Sequence, residues 1–153
     1  MLLSIVIPAY NEEQRIGASL QEIQSFLPKH FEQTEVIVVN DGSSDKTSQV
    51  VTSFVRESGT HRLLLVELPQ NSGKGAAVKA GVERATGDFI LFMDADLSTP
   101  LTEISKVLSP LQAGKDIAIG SRATRTSNIL RTSAVLSRVN GKNVQCAGAH
   151  VGD

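Results

Sequence analysis

Thr86-Gly87-Asp88-Phe89-Ile90-Leu91-Phe92-Met93-Asp94-Ala95-Asp96-Leu97-Ser98-Thr99-Pro100 is an apolar run, bounded by glycine and proline, that ends on two carboxylates one residue apart. Phe89 to Met93 is continuous in apolar residues, which suits a strand covered on both faces in a parallel sheet. Asp94 and Asp96 then fall just past its carboxyl end, where open α/β sheets bind ligands. Two hard oxygen donors this close repel each other unless a cation lies between them. Mg2+ or Mn2+ held by one or two carboxylates keeps positions for water and substrate phosphates. An isolated Asp-x-Asp is more often a pair of loop-capping carboxylates, so the metal reading depends on what the rest of the chain places beside it.

Outward from this stretch, strand-like runs alternate with helix-length amphipathic segments, the pattern of an α/β protein with a parallel sheet sandwiched by helices. Leu3 to Ile7 is the first strand, and Pro8, with no N–H to donate, should end its ladder. Ile16, Leu20, Ile23 and Leu27 recur at helical spacing up to Pro28, which should stop that helix. Glu35 to Val39 is a second strand and delivers Asn40-Asp41-Gly42-Ser43-Ser44-Asp45, a turn in which Asp45 reads as the N-cap of a helix through Val50, Val51, Phe54 and Val55. Asp41, at the very end of its strand, is poorly placed to cap that helix and well placed to accept N–H bonds from a ligand.

Leu63 to Leu68 is a third strand, followed by Asn71-Ser72-Gly73-Lys74-Gly75 and an alanine-rich helix. A glycine-rich loop opening a helix offers free N–H groups and the positive dipole end, with Lys74 adding charge, although its spacing is not that of a P-loop. After Pro100, the residues Leu101, Ile104, Val107, Leu108 and Leu111 mark a further helix, and Asp116 to Gly120 a short strand leading to Ser121-Arg122. Ile129 to Val139 reads as a helix, and the segment beyond it has few apolar anchors, which predicts a poorly ordered end.

At 153 residues the chain fits one domain with a proper core. The formal charge of -1 supplies no basic field, which argues against nucleic acid as a partner and requires any phosphate to be held locally. Aromatic residues at 4% give little base-stacking surface. The single Cys146 excludes an internal disulfide and suits a reducing compartment. No apolar run reaches bilayer-spanning length, and Met1-Leu2-Leu3-Ser4-Ile5 lacks a basic leader region, so the expectation is a cytoplasmic protein.

The polar clusters at Ala9 to Glu12, Asp41, Asn71 to Lys74, Asp94 with Asp96, and Arg122 each follow a predicted strand, and parallel strands bring these ends to one edge. The motifs Ser4-Ile5-Val6-Ile7-Pro8-Ala9-Tyr10-Asn11-Glu12, Val38-Val39-Asn40-Asp41-Gly42-Ser43-Ser44-Asp45, Asn71-Ser72-Gly73-Lys74-Gly75, Gly87 to Pro100 and Ile119-Gly120-Ser121-Arg122 run in that order. Together they resemble family 2 glycosyltransferases with the GT-A (Rossmann-like) fold, and within them the dolichyl-phosphate and polyprenyl-phosphate sugar transferases. The resemblance covers about residues 3–122. It divides the chain into a nucleotide-sugar-binding core, 1–122, and a partial acceptor-side segment, 123–153.

That resemblance implies a nucleotide site of Pro8, Ala9, Tyr10, Glu12, Asp41, Lys74 and Asp94. It implies Mg2+ or Mn2+ on Asp94 and Asp96, and catalytic roles for Asp96 and for Arg122, the latter facing donor or acceptor phosphates. The implied reaction moves a sugar from a nucleoside-diphosphate-sugar, UDP- or GDP-linked, to an acceptor such as a polyprenyl or dolichyl phosphate, with inversion. A nucleotide-sugar-binding domain without turnover is the alternative. Of the Asp-Thr-Gln-Cys-Gly-Phe-Lys-like stretch expected downstream, Gln145-Cys146 is retained. The apolar stripe of Ile129, Leu130, Val135, Leu136 and Val139, flanked by Arg125, Arg131 and Arg138, could meet the cytoplasmic face of a membrane as a peripheral contact, or a second copy of the chain as a homodimer.

Overall fold

The computed structural model describes residues 1–120 and the backbone of 134–138. In chain order the elements are β1 (Leu2–Ala9), α1 (Ile16–His30), β2 (Gln33–Asn40), α2 (Thr47–Thr52), β3 (His61–Glu67), α3 (Lys74–Arg84), β4 (Phe89–Met93), α4 (Ile104–Gln112, after a 3-10 turn at Leu101–Glu103), β5 (Ile117–Gly120) and β6 (Ala134–Arg138). The strands form one sheet in the order β3-β2-β1-β4-β6-β5. β1 pairs in parallel with β2 and β4, and β2 with β3, while β6 runs antiparallel to both β4 and β5. The expected α/β, mostly parallel sheet is therefore present. The chain winds outward from β1 through β2 to β3 and then returns to the other side of β1 as β4, a reversal that opens a crevice at the carboxyl ends of β1 and β4.

Period-two alternation along the strands sorts the core into two layers. Leu3, Ile5 and Ile7 pack with Ile16, Leu20, Ile23, Leu91, Ile104 and Leu108, so α1 and α4 cover one face. Val6, Ile37, Val39 and Ile90 pack with Ala77 of α3 on the other. Gly81 sets how closely α3 approaches, because a Cβ there would run into the side chain of Val6. β4 is buried at four of its five positions, as its unbroken apolar run predicts for a strand with both faces covered.

Tertiary context overrides local signals at several places. Pro8 does not end β1: it pairs in register with Val39, and Ala9 with Asn40. The Ala9 carbonyl accepts from Asp41 N–H on the β2 side and the Leu2 carbonyl from Asp88 N–H on the β4 side, so the nitrogen of Pro8 faces β4. Pairing with β4 has already stopped at Val6↔Phe92, and no ladder bond is lost. Pro28 lies inside α1, which runs on to His30, with Phe31 N–H closing the turn on the Leu27 carbonyl. α2 starts at Thr47 with Lys46 in the N-cap position and ends at Thr52, so Asp45 is not the N-cap, and Phe54 and Val55 lie beyond the helix.

The helical spacing around Val135 and Leu136 yields a strand, β6, at Ala134–Arg138. The free edge of β4 explains this: its N–H and C=O groups need partners, and β6 supplies them in the register Leu91↔Leu136. The sheet thus takes in a strand from beyond residue 122, the boundary that the motifs suggest. The predicted poorly ordered end otherwise lies outside the described residues. No helix among the described residues is long and apolar enough to cross a membrane.

Candidate active site

A cleft of about 380 Å3 opens at the crevice between the carboxyl ends of β1, β2 and β4. Pro8, Ala9, Tyr10, Glu12, Asp41, Lys74, Asp94 and Asp96 all line it, brought together from four separate loops. Its size lies within the range of small-molecule sites. Arg122, the remaining residue singled out from the sequence, lies outside the described residues.

Asp41 is buried, 3% exposed, and its two carboxylate oxygens accept the N–H groups of Ser72 and Gly73 at 2.8 and 2.9 Å. It therefore fixes the loop that opens α3 as well as facing the cleft, with a lone pair on each oxygen still free for a ligand donor. Gly42 makes the contact possible: at φ +64 it carries the chain against the backbone of Gln70 and Asn71, where a Cβ would overlap both. Lys74, the first residue of α3, then extends its ammonium to Asp94 Oδ1.

The β1–α1 loop is stitched to the β2–α2 loop. Asn11, at φ 54, donates its N–H to Ser43 Oγ at 3.0 Å and accepts from Ser44 N–H at 2.9 Å. Glu12 N–H donates to Thr47 Oγ1 at 2.8 Å, and Glu13 N–H to Asp45 Oδ2 at 3.1 Å. Ser43, Ser44 and Asp45 thus hold the wall of the cleft. Tyr10, 47% exposed, is the exposed aromatic residue of the cleft lining.

Asp94 and Asp96 leave β4 on either side of the buried Ala95, and Leu97 turns the chain through φ 49. Asp96 Oδ1 accepts Ser98 N–H at 3.0 Å. Burial works against ionisation of Asp96, but hydrogen bonds from the Ser98 backbone and side chain, together with the positive charge of Arg15, hold its carboxyl below the usual range. It is an anion at neutral pH. Arg15 was not among the residues that the motifs pick out. Its guanidinium forks onto Glu12 at 2.8 and 2.9 Å, and the Glu-x-x-Arg spacing at a helix start was the one signal for it.

Four carboxylates, of Glu12, Asp41, Asp94 and Asp96, face this cleft with the ammonium of Lys74. A diphosphate would meet net repulsion there unless a cation came with it. Among the described residues no three His, Cys, Asp or Glu side chains gather into a metal cage. Two hard carboxylates with open surroundings are the donor set of an ion that keeps water and phosphate ligands, so Asp94 and Asp96 fit Mg2+ or Mn2+ and not a closed structural site.

Comparison with known proteins follows the same lines. The chain is 39% identical over 141 residues to a dolichyl-phosphate beta-glucosyltransferase of Drosophila melanogaster, covering 85% of this chain and 43% of that one. It is 35% identical over 153 residues to an undecaprenyl-phosphate 4-deoxy-4-formamido-L-arabinose transferase of Aeromonas hydrophila, covering 99% and 46%. The chain spans less than half the length of these curated relatives. Among solved structures it is similar to a mannosyltransferase of Pyrobaculum calidifontis in complex with GDP-Man and Mn2+, with a TM-score of 0.69 at 22% identity over 89% of this chain and 44% of that one. It is also similar to TarS of S. aureus in complex with UDP-GlcNAc, with a TM-score of 0.58 at 28% identity over 76% and 33%. The fold is that of the GT-A glycosyltransferases. The family model for glycosyl transferase family 2 matches residues 4–146, and the chain belongs to that family.

Proposed function

We propose that the protein transfers a sugar from a nucleoside-diphosphate-sugar to the phosphate of a polyprenyl or dolichyl lipid, with inversion at the anomeric carbon and with a divalent metal at Asp94 and Asp96. The observation that carries the reading is the convergence of Tyr10, Asp41, Lys74, Asp94 and Asp96 on one cleft at the sheet's switch point. The two curated relatives, named for dolichyl-phosphate and undecaprenyl-phosphate, support the acceptor class. Structures with GDP-Man and Mn2+ and with UDP-GlcNAc support the donor class.

In this reading Asp41 and the face of Tyr10 hold the nucleoside, and Lys74 and the N–H groups at the start of α3 face the diphosphate. When bound, the metal stabilises the charge that develops on the departing diphosphate. A phosphate monoester with a second pKa near ~6 is already largely dianionic at neutral pH, so its oxygen can attack the anomeric carbon without a general base. The bond from that carbon to the diphosphate breaks, and the nucleoside diphosphate leaves with the electron pair. Arg122 is assigned to orient the phosphates, its planar fork matching their oxygens. In this reading the work is done at a membrane surface, and we assign it to the cytoplasmic side.

Calorimetry with UDP and with GDP, each with and without Mn2+, tests the donor half: one of them should bind only with the metal. Transfer is then followed with lipid phosphate in vesicles, where nucleoside diphosphate should be released only when the acceptor is present. Absence of metal-dependent binding of either nucleotide overturns the reading, and binding with no acceptor-dependent release reduces it to a nucleotide-sugar-binding domain.

A further inference from the structure

We infer that Lys74 serves as the resident counter-ion of the metal carboxylate Asp94 and moves to the donor's diphosphate when it arrives, so that metal and nucleotide bind cooperatively. The inference rests on the reading of Asp94 and Asp96 as the metal pair. Its starting point is the ion pair itself: the Lys74 ammonium lies against Asp94 Oδ1 and joins the α3 loop to the β4 loop across the cleft. Of the two candidate ligands, Asp94 is the one held this way, since the Asp96 oxygen takes the N–H of Ser98.

The two ends of the Lys74 side chain are held very differently. Its backbone follows Ser72 and Gly73, both clamped by Asp41, so the stem is anchored. Its ammonium rides on a flexible four-carbon chain, with the Lys74 side chain 57% and that of Asp94 30% exposed, so the pair is solvated and readily exchanged. A divalent ion approaching Asp94 meets this ammonium at close range and is opposed by it. A diphosphate offers the ammonium more negative charge than one carboxylate does, and it enters the same cleft at the amino end of α3, where the dipole also favours it. Moving Lys74 to the phosphate removes a cation from Asp94, where a divalent metal would be held and would supply charge to the diphosphate. Reciprocity of linkage then requires each ligand to tighten the other by the same factor.

Mn2+ titration followed by electron paramagnetic resonance of the free ion, on the full chain with and without UDP or GDP, tests the inference in wild type, Lys74→Gln and Lys74→Arg. Without nucleotide, Lys74→Gln should bind Mn2+ about three- to fivefold more tightly than wild type, the scale of an exposed ion pair. Lys74→Arg, which retains the cation, should stay near wild type. With nucleotide, the tightening of Mn2+ binding should be smaller in Lys74→Gln than in wild type. Equal or weaker Mn2+ binding by nucleotide-free Lys74→Gln, with normal metal binding by nucleotide-bound wild type, overturns the counter-ion role alone. No Mn2+ binding by wild type even with nucleotide overturns it together with the metal assignment of Asp94 and Asp96.

Discussion

Carboxylates stand at both ends of this sheet, and their surroundings are opposite. At the amino end, Glu35 is 1% exposed and fully engaged. Its Oε1 accepts from Ser4 Oγ at 2.6 Å, Thr86 N–H at 2.5 Å and Thr86 Oγ1 at 2.9 Å, and its Oε2 from Arg62 at 2.8 Å. Ser4, Glu35 and Arg62 are direct neighbours across β1, β2 and β3, so this cluster ties three strands to the turn before β4. At the carboxyl end, Asp94 and Asp96 are partly or fully open to solvent, each with lone pairs to spare. A buried charge is tolerated when it is paired and hydrogen-bonded, as Glu35 is, whereas a ligand site needs acceptor capacity left over. The first arrangement holds the fold and the second is available for chemistry.

Removing Glu35 should have the largest effect on the folded state. Glu35→Ala leaves Arg62, Ser4 and the Thr86 N–H without their acceptor, and should cost about 3 kcal/mol in chemical denaturation, with nucleotide affinity unchanged in the folded fraction. A cost under about 1 kcal/mol would show that the amino-end cluster is not a structural clamp. Asp96→Asn should do the reverse. Metal-dependent nucleotide affinity should fall about 100-fold, roughly 2.7 kcal/mol by calorimetry, while stability moves by less than about 0.5 kcal/mol. Unchanged affinity would remove Asp96 from the metal site.

Gly42→Ala probes the link between folding and site, because its strained φ and the overlap with Gln70 and Asn71 displace the loop that Asp41 clamps. A stability loss of about 1–2 kcal/mol should come with weaker nucleotide binding, and loss of stability alone would show that the clamp does not shape the cleft. The smallest effect is on acid stability. Burial opposes ionisation of Glu35, but hydrogen bonds from Ser4 and Thr86 and the charge of Arg62 bring its pKa below the ordinary 4.5. A lowered folded-state pKa contributes stability that is present above the unfolded value and lost as pH falls through the folded one. The gap in stability between wild type and Glu35→Gln should therefore narrow below about pH 4.5, and a gap independent of pH would show that the ionised form is not the one being stabilised.

Much of the cleft was legible because most of its polar residues follow a strand in a short, turn-forming stretch. Asp41, Lys74, Asp94 and Asp96 could be assigned to one edge from strand direction alone, and they meet there. Arg15 escaped because its signal is a lone charge on an otherwise ordinary helix start, and its field at Asp96 depends on two loops meeting. Glu35 escaped for a related reason: in the sequence it is only the polar start of a β-branched run, and its partners lie 27 to 51 residues away.

The sequence by itself determined most strands and helices near their observed places, the parallel sense of the central sheet, and the edge on which the polar motifs gather. Period-two and period-3.6 burial and turn composition are local properties, written wherever an element must bury one face. Only the tertiary structure decided that Pro8 stays in its strand, that Ala134–Arg138 pairs between β4 and β5 in place of forming a helix, and that Asp41 clamps the loop bearing Lys74. Those outcomes depend on which backbone N–H and C=O groups other segments leave unpaired, and that is known only once the segments have packed.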